Sequence, residues 1–262
     1  MAKLVNPYQP REYWDAKARR FRDEPDCASC TDSHVSNQCI TRVQHAALRT
    51  AIERLGNAAA LRSKAILDFG CGSGRHASLF SELGGYYCGL DISAEMIDIC
   101  RSCHPEMDFA VMEDQRIPFD SRHFDLAVSI AVLHHNPTPI QAGLLTELTR
   151  VIKPGGHLFL FEGVGASATD REFPRTLNDW VESVTSLGYN CVLRRRYQYY
   201  PVRRVLELPG KRIGSRYANH WRIRRLDAAV SPLLSRMVPI GPDQRAAMLF
   251  VRHRAAAKPC NA

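Results

Sequence analysis

The sequence has little that would place it in or across a membrane. No apolar run approaches the roughly 18 residues that a membrane helix requires, and the opening Met1-Ala2-Lys3-Leu4-Val5-Asn6-Pro7 has no apolar core of a secretory signal. Nine cysteines without an export signal therefore predict reduced thiols and a cytoplasmic location. Acid is nearly missing from the end of the chain. From Cys191 onward only Glu207, Asp227 and Asp243 oppose sixteen Arg and Lys, a net +13, while the preceding residues carry −5. That asymmetry suits an anionic acceptor or RNA, and it is equally compatible with a solvated arginine face.

Several motifs are also missing. Gly70-x-Gly72-x-x-Arg75 has arginine where a dinucleotide fingerprint needs glycine or alanine, which excludes that pattern. No Asn/Asp-Pro-Pro-Tyr follows the fourth predicted strand, and the only Pro-Cys is Pro259-Cys260, where no pyrimidine-methylating nucleophile is expected. Cys27-x-x-Cys30 with His34 and Cys39 lacks the second Cys pair of a zinc site, so no metal ligands are assigned and the cysteines read as free thiols. There is no internal repeat and no second domain.

What is present alternates between two periods. Apolar runs at Ala65–Asp68, Tyr86–Leu90, Met107–Val111, Phe124–Ile130 and His157–Phe161 predict strands separated by amphipathic helices, the pattern of βαβ units around a parallel sheet. Ser93 caps a helix carrying Met96, Ile97 and Cys100. Another helix runs from Pro139 to Ile152 and is closed by Pro154-Gly155-Gly156, and a third spans Thr176–Leu187. Residues 1–64 predict a helical cap, with helices near residues 12–21 and 35–55 and a loop over 22–38 between them. Cys191–Tyr197 and Ala247–Val251 predict the last two strands, flanking an insert at about 198–245 with a helix near Leu226–Leu234.

The segment Ala65-Ile66-Leu67-Asp68-Phe69-Gly70-Cys71-Gly72-Ser73-Gly74 carries the densest signal. Alternate glycines let the backbone turn tightly and approach a ligand, toward which the following helix would direct its free N–H groups. Asp68 with Gly70-x-Gly72-x-Gly74 resembles the first motif of class I S-adenosylmethionine (SAM) methyltransferases. Four further stretches resemble that family in the same order. They are Asp91 ending the second strand, Met112-Glu113-Asp114-Gln115-Arg116-Ile117-Pro118-Phe119, Phe124-Asp125…Leu133-His134-His135, and Arg150-Val151-Ile152-Lys153-Pro154-Gly155-Gly156. Tyr13-Trp14-Asp15 with Ala18 resembles the opening of its type-11, ubiquinone-biosynthesis-like branch, where an aromatic helix lids the cofactor.

The resemblance implies an α/β fold, a doubly wound, Rossmann-like, mostly parallel sheet of seven strands in order 3-2-1-4-5-7-6 with an antiparallel seventh strand. It implies SAM contacts from Asp68, Gly70, Cys71, Gly72, Gly74, Asp91 (both ribose hydroxyls), Ile92, Met96, Ile130 and Trp14, with Glu113 or Asp114 holding the adenine amine. His134 and His135 end the fourth strand, where the methyl group would lie, and are the candidate general bases; His134 is favoured because only one of two neighbours leaving a strand faces the site. The expected activity is O- or N-methylation of a small molecule, and the basic tail suits an anionic one. Ser129–His135 also resembles the wobble-uridine tRNA methyltransferases, which keeps tRNA as a second acceptor, and a silent SAM-binding protein is the non-enzymatic alternative.

Overall fold

A computed structural model describes residues 9–28, 31, 33–56, 58–165, 168–200, 221–234 and 244–254. Seven strands form one sheet: β1 (Ala65–Phe69), β2 (Tyr86–Asp91), β3 (Asp108–Val111), β4 (Phe124–Ile130), β5 (Ile152–Gly163), β6 (Tyr189–Gln198) and β7 (Gln244–Arg252). Their order is β3-β2-β1-β4-β5-β7-β6. The first five pair in parallel, and β7 runs antiparallel to both β5 and β6. This is the Rossmann-like order expected from the sequence.

Central strands are apolar on both faces because helices cover both faces, which is why they read as near-continuous hydrophobic runs. Side chains alternate across the sheet. Ile66, Val128, Phe159, Phe161 and Leu249 face one core, shared with Val43, Ala47, Leu48 and Ala51 of α3 (His34–Arg54) and Phe80 of α4 (Ala77–Glu82). Leu67, Phe69, Ala127, Leu158, Leu160, Met248 and Phe250 face the other. There they meet Leu144, Leu145, Leu148 and Val151 of α6 (Thr138–Val151) and Trp180 and Val184 of α7 (Leu177–Thr185). Each buried Val, Leu, Ile, Phe or Met among them is worth about 1.5–3 kcal/mol.

Before the sheet lie α1 (Pro10–Arg20), α2 (Pro25–Ala28) and α3; α5 (Ala94–Cys103) follows β2, and α8 (Trp221–Leu234) packs along α3. Pro10 suits the first turn of α1, Ser33 caps α3 and Ser93 caps α5. Thr176 and Asp179 close a capping box on α7.

Three expectations need correction. Residues 25–28 form a helical turn inside the expected loop. α8, described from Trp221, already includes residues before Leu226. Pro154-Gly155-Gly156 does not terminate the helix: α6 ends at Val151, and the triplet lies within β5. Gly155 sits at φ +79°, so the chain passes straight from helix to an irregular strand start. Among the described residues no helix is long and apolar enough to cross a membrane. Met1–Pro7, Cys30, the side chain of Cys27, Arg203, Arg204, Lys211, Arg212 and Cys260 lie outside the described residues, so the zinc question and most of the basic insert have no structural counterpart.

Candidate functional site

The C-terminal ends of β1, β2 and β4 converge on a cavity of about 110 Å³, where ligands bind in open α/β sheets. Its floor is the turn after β1. Gly70, Gly72 and Gly74 sit at φ +75°, +55° and +78°, a region that favours glycine. A Cβ on Gly70 would lie 2.3 Å from Cγ2 of Val132, so the backbone here passes where no side chain fits. The amides of this turn are already bound: Gly70 and Cys71 donate to Leu90 O at 2.7 and 3.0 Å, and Gly72 donates to Asp91. α4 opens only at Ala77 and is six residues long, so the expected anion-facing helix start is not formed at the turn.

Asp91 ends β2 at the cavity wall. Its Oδ2 accepts from Gly72 N at 2.8 Å and its Oδ1 from Ser93 N at 2.9 Å. Burial raises its carboxyl above the usual range, against the pull of the Ser93, Gly72 and Ile92 amides. Ile92, Met96, Met112, Ile130 and Leu144 give apolar walls around this one acid.

α1 closes the cavity, and Trp14, Asp15 and Ala18 of its aromatic motif each have a task. Trp14 lines the wall and meets the His135 ring edge-on at 5.7 Å. Asp15 accepts from Ser93 Oγ at 2.5 Å, tying the helix to the loop that carries Asp91. Ala18 is fully buried beside Met96 and Ile99. Arg11 adds a hydrogen bond to Met112 O at 3.0 Å, and Arg19 and Arg22 reach Glu95.

The turn after β4 decides which histidine meets the cavity. The strand stops at Ile130, and Ala131 adopts φ +59°, a strained conformation for a residue with a Cβ. Glu162 of β5 holds the turn in place. Its carboxylate accepts from Val132, Leu133 and His134 amides, from Ser129 Oγ, and from His134 Nδ1 at 2.6 Å. Burial alone would raise Glu162, but His134 and these amides outweigh it and hold the carboxyl low. His134 is consequently 1% exposed and turned away from the cavity, whereas His135 lines it. The preference for His134 as the base assumed strand alternation through residue 134; the kink at Ala131 reverses it. Burial, then the neighbouring His134, lower His135 to about 4.

Of the residues expected at the cofactor, Trp14, Gly70, Cys71, Gly72, Asp91, Ile92, Met96 and Ile130 line the cavity. Asp68, Gly74, Glu113 and Asp114 do not. Asp68 lies behind it, 1% exposed, taking a hydrogen bond from Tyr87 Oη at 2.9 Å and raised to about 7 by burial. Gly74 faces His104 and Cys100. Glu113 and Asp114 are exposed in the turn after β3.

Sequence reasoning missed Arg75, His76, Asn136 and Glu162. Arg75 and His76 line the cavity beneath α3, where Arg75 donates to Thr41 Oγ1 at 2.9 Å and His76 contacts His45 at 3.2 Å. Burial and the charge of Arg75 push both histidines down, His45 to about 4. An acid inside the apolar run of β5 was the available signal for Glu162.

A family model described as a methyltransferase domain, type 11, matches residues 67–160, from β1 into β5. The chain carries a class I methyltransferase domain. Over 102 residues the chain is 34% identical to a phthiotriol/phenolphthiotriol dimycocerosates methyltransferase of Mycobacterium leprae, covering 37% of each chain. A tRNA (carboxymethyluridine(34)-5-O)-methyltransferase of Arabidopsis thaliana is 34% identical over 116 residues, 44% of this chain and 27% of that one. The matched stretch thus spans less than half the length of these curated relatives. A chain in the complex of the Haloferax volcanii Trm112 methyltransferase activator with a methyltransferase shares the fold at TM-score 0.63 and 17% identity, covering 92% of this chain and 98% of that one.

Proposed function

We propose that the protein is a SAM-dependent methyltransferase acting on oxygen or nitrogen of a small-molecule acceptor. The observation that carries this reading is Asp91: a buried carboxylate, oriented by two backbone amides, as the acid in the wall of a largely apolar cavity. The residues present fit the cofactor. Gly70 and Gly72 line the cavity with backbone alone, and a carboxylate that burial penalises is relieved by two hydroxyl donors.

SAM, when bound, supplies an electrophilic methyl group on a sulfonium. The chain's own part is to bind, align and exclude water. Asp91 anchors the ribose, the apolar walls take the adenine, and Trp14 and Pro10 of α1 cover the site. Alignment of nucleophile and methyl carbon should be the largest contribution, and the lid keeps water from the reacting groups. Neutral His135 faces the cavity as a proton acceptor for a hydroxyl nucleophile.

Transfer to tRNA is the second reading, favoured by the Arabidopsis relative and by the +13 segment from Cys191 onward. Calorimetric titration with SAM tests binding and separates both enzymes from a silent scaffold. Incubation with methyl-labelled SAM and either bulk tRNA or a small-molecule extract then decides between acceptors. Label entering only tRNA would overturn the small-molecule reading, and no SAM binding would overturn both.

A further inference from the structure

The strained turn and the loop after β5 bring Glu172, from a distant segment, beside the neighbouring His134 and His135. One ligand atom from each of His134, His135 and Glu172 falls within 4.8 Å of the others. Both imidazoles are fixed in the same sense. His134 Nδ1 faces the Glu162 carboxylate at 2.6 Å, and His135 Nδ1 faces Arg171 O at 3.0 Å. His135 Nδ1, facing a carbonyl, carries the proton; at His134 the Glu162 carboxylate at 2.6 Å outweighs the longer approach of Gly163 N to the same Nδ1 at 3.3 Å, so each Nε2 keeps its lone pair. A carboxylate or carbonyl holding the far nitrogen is how proteins orient histidine ligands toward a metal. Glu172 is brought in by its loop: Phe173 N donates to His134 O at 2.6 Å, and Thr169 Oγ1 accepts from Glu172 N at 2.9 Å.

We propose that His134, His135 and Glu172 form a site for a divalent transition metal, Zn²⁺ by its donor set, at the acceptor end of the cavity. Two imidazoles and one carboxylate with an open position is the ligand set of a catalytic rather than a structural zinc. With bonds of about 2.0–2.2 Å the ligand atoms of a tetrahedral ion lie roughly 3.4 Å apart, so a group now within 4.8 Å must contract to hold the ion. His135 lines the cavity and His134 lies buried behind it, so the ion would sit in the cavity wall beside His135. The site deepens the methyltransferase reading and rests on it for its role, selecting an oxygen acceptor, with the metal replacing His135 as the group that makes the hydroxyl lose its proton. A hydroxyl bound to the metal loses its proton to water, and the oxygen lone pair forms the new C–O bond. The methyl–sulfur bond breaks, and its electrons remain on sulfur as a neutral thioether.

The test uses the full chain, stripped with a chelator and titrated with Zn²⁺ by calorimetry and with Co²⁺ by visible absorption. One equivalent should bind, with ligand-field bands and no thiolate charge-transfer band. Glu172→Gln and His135→Ala should each weaken binding at least tenfold, since even outer-shell partners cost 10–100-fold. If no equivalent binds, or if both variants bind as wild type does, the inference fails. Should His135→Ala not fold, Glu172→Gln decides alone, because that residue lies on a loop outside both cores. SAM titration of the metal-free protein keeps the two readings apart. SAM binding without a metal site sinks only this inference, and metal binding without SAM sinks only the proposed function.

Discussion

Replacing Asp91 by Ala is the most direct challenge to the cavity. In the wild type its carboxylate takes the Gly72 and Ser93 amides, and each oxygen keeps a lone pair for a ribose hydroxyl. Hydrogen bonds to a charged group are worth about 1.5–3 kcal/mol each. Losing two gives about 3–6 kcal/mol, a drop in SAM affinity of roughly 10²–10⁴-fold. Asp91→Asn keeps one acceptor oxygen and should lose about half of that free energy. Both variants should remain folded. Leaving two amides without acceptors costs about 1–3 kcal/mol each, while removal of a carboxyl that burial already penalises offsets part of it. Isothermal calorimetry with SAM, alongside a circular dichroism melt, reads both quantities. A folded Asp91→Ala protein that binds SAM like the wild type would refute the ribose assignment and the reasoning behind it.

Gly70→Ala should destabilise by about 2–4 kcal/mol, from left-handed strain and the clash with Val132, and should abolish SAM binding; an unchanged melt would contradict the geometry of the turn. Asp68 is raised from 3.8 to about 7, so its contribution to stability is full below pH 4 and falls as pH rises toward 7, by about 4 kcal/mol. Asp68→Asn should lose that slope, gaining on the wild type across the window in denaturant melts. His45 and His76 act in the opposite sense. Their folded pKa values lie below 6.5, so the stability they permit is present above pH 6.5 and is lost as pH falls toward 4. A His45→Gln/His76→Gln variant should flatten this acid branch, and an acid branch as steep as the wild type's would show that other groups control it.

The sequence by itself determined the sheet. Strands buried on both faces must be apolar throughout, helices between them must carry a 3.6-residue stripe, and a glycine turn with an acid at the next strand end is local enough to read directly. For the same reason Gly70, Gly72, Asp91 and Trp14 were legible: each acts through its own backbone neighbourhood or a fixed motif. Tertiary structure decided what depends on contacts between distant segments. Glu162, 28 residues beyond His134, gathers the amides of the β4 turn, forces Ala131 to φ +59°, and so turns His135 into the cavity and His134 away. Arg75 and His76 reach the wall only because α3 packs over them, and Glu172 joins the histidines only because a loop crosses back after β5. Local propensity carries no information about such long-range pairing, since a side chain's direction after a strand ends is set by whichever buried partner satisfies its backbone.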